Sequence, residues 1–159
     1  MTQISLNSAR QVVAEALLSS PEVSAFVSDH FLGKSLKVFR EIVPTNLPPA
    51  EDCPFVAFGP FTHSQNDKDI HRMDHAMPMG IFVEGNGSYE EVSENLFIVP
   101  SAVALDGLAS LIEVVATGAL LSAGYPIEQD PYLPDDVSWD QYFMSFYLYR
   151  VKTPRRINL

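Results

Sequence analysis

Apolar positions first recur at helical spacing near the start of the chain, where Val12, Val13, Ala16 and Leu17 follow Ser8 and Gln11. Ser and Gln three residues apart have the form of a capping box, so the pattern predicts a helix over about residues 8–19. Ser20-Pro21-Glu22 then supplies an N-cap, a first-turn proline and an early acid, and Gly33 is placed to end a second helix over about 21–31. Residues 36–43, Leu-Lys-Val-Phe-Arg-Glu-Ile-Val, are β-branched and aromatic and short between breakers, which predicts a strand. Pro44, Pro48, Pro49 and Pro54 make the next stretch a loop, because proline cannot donate to a ladder. Phe55 to Phe58 and His75 to Glu84 read as paired strands of a hairpin whose long polar tip is Thr62 to Asp74. Pro60 and Pro78 imply edge positions or bulges there.

A polar link over 86–95 precedes the longest periodic segment, about residues 101–123, which predicts a third helix. Asp106, Ser110, Glu113 and Thr117 form one narrow polar stripe on it, and nearly everything else is apolar or small. Ala104, Gly107 and Gly118 lie close to one line, where glycine costs helix stability unless something approaches the backbone. This helix is therefore expected to pack on the sheet and to be covered further by another element or a neighbouring subunit. Gly124 closes it, Tyr125 to Leu133 reads as a short strand, and Pro134-Asp135-Asp136 as a turn. From Ser138 to Lys152 the chain alternates, with Phe143, Ser145, Tyr147 and Tyr149 on one face and Tyr142, Met144, Phe146 and Leu148 on the other. Apolar residues on both faces predict a central strand. The order α-α-β-β-β-α-β-β predicts an α+β fold, an antiparallel (mixed) β-sheet with helices packed on it. The expected organisation is a single domain over residues 1–159, with flexible ends at about 1–6 and 154–159.

Length and composition sharpen this picture: 159 residues with 47% hydrophobic and 19% charged content describe one globular unit with a sizeable core. The net charge of -10 opposes tight nucleic-acid binding, since phosphates need clustered Lys and Arg. The lone Cys53 allows no internal disulfide, which fits a reducing compartment. No basic segment leads into an apolar run, and Asp106 and Glu113 interrupt the longest apolar stretch, so neither a signal peptide nor a membrane partner is expected. Charge is segregated: no Lys or Arg stands between Met73 and Tyr149, an interval holding acids from Asp74 through Glu90, Glu91 and Glu94 to Asp140. The tail then carries Arg150, Lys152, Arg155 and Arg156 without an acid. Solvation alone explains surface charge, but a head-to-tail ring can also use such segregation, basic tail against acidic face.

Candidate chemistry is sparse. His63, Asp67, Asp69, His71, Asp74 and His75 make the densest polar cluster, and a metal-binding module or enzyme built on His63, His71 and His75 is one alternative. The helical zinc-protease signature is missing, because Arg72 stands where a Glu is needed after His71. A solvated interaction loop is the simpler reading. Cys53, beside Glu51 and Asp52 and before Pro54, reads as a structural thiol rather than a nucleophile, and Asp135 and Asp136 as turn residues rather than an acid/base pair. Phosphate-binding glycine loops and a Gly-x-Ser-x-Gly elbow are absent. No catalytic, cofactor-binding or metal-ligating residue is assigned, and the chain is expected not to be an enzyme.

With these segments in place, the chain resembles the bacteriophage tail terminators, the small proteins that end tail-tube growth in long-tailed phages. Cys53-Pro54-Phe55-Val56-Ala57-Phe58 leading into a polar tip, the return strand Met79-Gly80-Ile81-Phe82-Val83-Glu84, and the helix running into Ser122-Ala123-Gly124-Tyr125 carry the likeness. An acidic link, Glu128 to Asp136, and an aromatic strand from Trp139 follow in the family's order. The resemblance implies a homo-oligomeric ring of six copies, with the tail tube protein on one side and the head-tail connector protein on the other. It further implies DNA only as passing cargo, no active site or cofactor, and assembly into the virion tail in the host cytoplasm. A tail-like component of a bacterial secretion or contractile system shares the same assembly physics.

Overall fold

A computed structural model describes residues 6–42, 45–59, 62–65, 72–85, 88–129 and 141–154. The fold is α+β, with a mixed sheet and helices on one of its faces. Helix α1 spans Leu6–Ser19 and buries Ala9, Val13 and Leu17, one face at i, i+4 and i+8. It starts earlier than the capping-box pattern implies: Ser8 lies inside the first turn, and the Gln11 side chain donates forward to Glu15 Oε1 at 2.7 Å. Helix α2, Pro21–His30, begins as expected, with the Ser20 hydroxyl accepting the Val23 N–H. It closes through Leu32 and Gly33, both at positive φ, with the Gly33 N–H donating to the Ser28 carbonyl at 2.9 Å.

The sheet strands are β1 (Lys37–Phe39), β2 (Phe55–Phe58), β3 (Thr62–Gln65), β4 (Arg72–Glu84), β7 (Ile127–Gln129) and β8 (Tyr142–Pro154). Their order is β1-β2-β4-β8-β7, with β1 parallel to β2, the other pairs antiparallel, and β3 paired with β4. Strand β8 sits between β4 and β7 as its two apolar faces require. Thr62 to Gln65, expected within a loop tip, forms a strand because β4 runs past the end of β2 and offers a free edge there. Pro78 falls at the gap between the β2 and β3 registers, where a missing donor matters least. Pro60 and residues 66–71 lie outside the described residues, as does the Pro134-Asp135-Asp136 turn.

The segment expected as a polar link holds a separate two-stranded hairpin, β5 (Glu90–Ser93) and β6 (Leu96–Ile98). Asn95, at φ 60, makes the turn, and its N–H donates to the Glu91 carboxylate at 3.1 Å. Helix α3, Pro100–Ser122, then crosses the sheet and buries Leu105, Leu108, Ala109, Ile112, Ala116 and Leu120. Gly124 at φ 83 and the Tyr125 N–H to Leu120 carbonyl bond end it, as the sequence implies.

The main core lies between the three helices and the sheet face built by Val56, Phe58, Met77, Met79, Ile81, Val83, Tyr149 and Val151. On the reverse face, Phe55, Ala57, Phe82, Tyr142 and Met144 pack under the proline-rich loop through Leu47, Ala50 and Cys53. The Tyr142 hydroxyl donates to the Pro48 carbonyl and pins that loop. Gly80 has no side chain because the Phe82 ring lies across it, 2.6 Å from where a Cβ would stand.

Candidate interaction surfaces

Helix α3 shows why the apolar pattern was so broad. Its core stripe faces the sheet and α1, while Phe26 from α2 lies over Gly107, its ring 2.8 Å from the site of a Cβ. The ring is held there by stacking on His30, at 4.1 Å between centroids. His30 Nδ1 is 3.0 Å from the Phe26 carbonyl oxygen, so that nitrogen carries the proton and donates. The polar stripe divides: Asp106 and Ser110 are exposed, whereas Glu113 and Thr117 are half-buried towards the tyrosines of β8. Burial, then the Glu113 charge, raises the Tyr147 pKa. Tyr149 is fully buried and its hydroxyl is pushed up to about 12, chiefly by desolvation. The Tyr149 and Thr117 hydroxyls adjoin, but neither completes a well-formed hydrogen bond.

Opposite the core, Val103, Val114 and Leu121 of α3 are exposed, and Gly118 lies between the last two with nothing within 4 Å of its missing Cβ. These positions fall on one side of the helix at spacings of four, seven and eleven residues. By length and composition α3 is apolar enough to cross a membrane. One side of it fills the core and packs against α1, α2, β4 and β8, with 39% of that apolar stretch buried.

The β5-β6 hairpin is the second exposed apolar feature. Tyr89, Val92, Leu96 and Phe97 are all exposed, with Tyr89 at 76%. Leu96 and Phe97 are consecutive in a strand, so large apolar side chains leave both faces of the hairpin. Its acids, Glu90, Glu91 and Glu94, are also exposed, as are Glu84 before it and Asp106 after it, while Glu113 of the same acidic interval is half-buried. Described cations stand elsewhere: Lys37 pairs with Asp52, Arg40 with Glu41 at 2.7 Å, and the Lys34 ammonium donates to the Glu51 carbonyl. Arg10 is buried and donates to the Gly59 carbonyl at 2.6 Å, tying α1 to the end of β2, and desolvation lowers its pKa while Glu41 opposes.

A cleft of about 230 Å³ lies at the root of the hairpin, lined by Phe31, Leu32, Lys34, Cys53, Glu84 and Ser101 among others. Leu32 is 98% exposed on its rim. The thiol in it is unsuited to nucleophilic work, because burial, followed by Glu84, pushes Cys53 up to about 12. The sequence pointed the same way for a lesser reason: Asp52 contributes, but desolvation dominates. Of the histidine trio, His75 is buried on the helix-facing side of β4, His63 stands opposite it in register, and His71 lies outside the described residues. Among the described residues no group of three or more His, Cys, Asp or Glu side chains is placed to hold a metal ion.

No known protein family matches the chain, and no curated protein matches it either.

Proposed function

We propose that this chain is a structural subunit that ends a phage or prophage tail tube, assembling as a ring, six copies being the expected number, between the tail tube protein and the head-tail connector protein. The support is surplus apolar surface: one hairpin and one helix face, each exposed in the single chain, on an α+β unit whose buried thiol is kept protonated. A tail terminator needs such surfaces for its neighbours and needs no reactive group. The segments that carry the resemblance, 53–58, 79–84 and 122–125, fold as β2 with the turn before it, the end of β4 and the close of α3.

The acidic interval gives the ring a further property. Acids on the surface facing its opening repel DNA phosphates, so the genome passes without sticking. An image of the ring with Glu84, Glu90, Glu91 and Glu94 confined to the outer rim rejects that detail.

Size-exclusion chromatography with light scattering, on the chain alone and with tail tube protein, tests the proposal. The expected result is a ring in at least the second condition and tubes of fixed length. A strict monomer in both, with tube length unchanged, counts against it.

A further inference from the structure

We draw no further inference here: the strongest candidate, the exposed apolar patch that Tyr89, Val92, Leu96 and Phe97 form on the β5-β6 hairpin, carries none because nothing in the structure shows what covers it.

Discussion

Gly107 and Gly118 occupy one line of the same helix but answer to different neighbours, and a methyl group separates them. Alanine at an exposed helix interior gains about 0.8–1 kcal/mol over glycine. Gly118→Ala should show that gain in the free chain, because nothing stands within 4 Å of the added Cβ. Gly107→Ala should show none or a loss, because the methyl meets the Phe26 ring at 2.8 Å and disturbs its stacking on His30. Urea denaturation of the two variants beside the wild type checks both, and a gain at Gly107 equal to that at Gly118 would mean that Phe26 yields freely. Ionisation gives a second prediction at this scale. Cys53 moves from an ordinary 9.0 to about 12 on folding, and Tyr149 from 10.0 to about 12, both through burial. The folded chain therefore holds these protons more tightly than the unfolded chain, and their stabilising effect is complete below the unfolded values and lost as pH rises towards 12. The urea midpoint should begin to fall near pH 9, and in Cys53→Ala its fall should begin closer to pH 10. An unchanged onset in that variant would remove the thiol from the account.

Elements differ in how plainly the sequence announces them. Helices α1, α2 and α3 and strands β2, β4 and β8 carry strong periodicity, and each was placed to within a few residues. Their caps explain why: Ser20-Pro21, Gly33 and Gly124 are local devices that act without tertiary help. Strand β3 was illegible because Thr62 to Gln65 has no apolar alternation, and only the overhanging edge of β4 makes it a strand. The hairpin left a signal that was missed: Val92, then Asn95 at a turn, then Leu96-Phe97-Ile98 is a β pattern hidden by the three glutamates around it. The α3 pattern foretold extra cover, and Phe26 supplies part of it, but which glycine it would cover depends on a contact between distant segments. The candidate surfaces were thus half legible, the apolar helix face visible in the sequence and the hairpin not. Because the hairpin lacks a core of its own, its amides should exchange with solvent far faster than those of β4 and β8 in the dilute single chain. Assembly should slow them by at least tenfold if it buries both faces, and hydrogen exchange followed by mass spectrometry resolves the two states. Equal exchange in ring and single chain would show that the hairpin stays free.

For the molecule as a whole, a net charge of -10 sets a repulsion that any ring must overcome. Both exposed apolar features carry their share of it, since Glu90, Glu91 and Glu94 surround the hairpin's apolar side chains and α3 bears Asp106 and Glu113 with no Lys or Arg. Apolar burial must then hold the copies together against like charge. Exposed charges are screened beyond about 10 Å at 0.1 M salt and beyond about 3 Å at 1 M. Raising sodium chloride from about 50 mM to about 0.5 M should therefore tighten self-association, because screening removes repulsion while apolar contact persists. Sedimentation across that range reads the sign directly. A weakening would mean that attraction between opposite charges dominates instead.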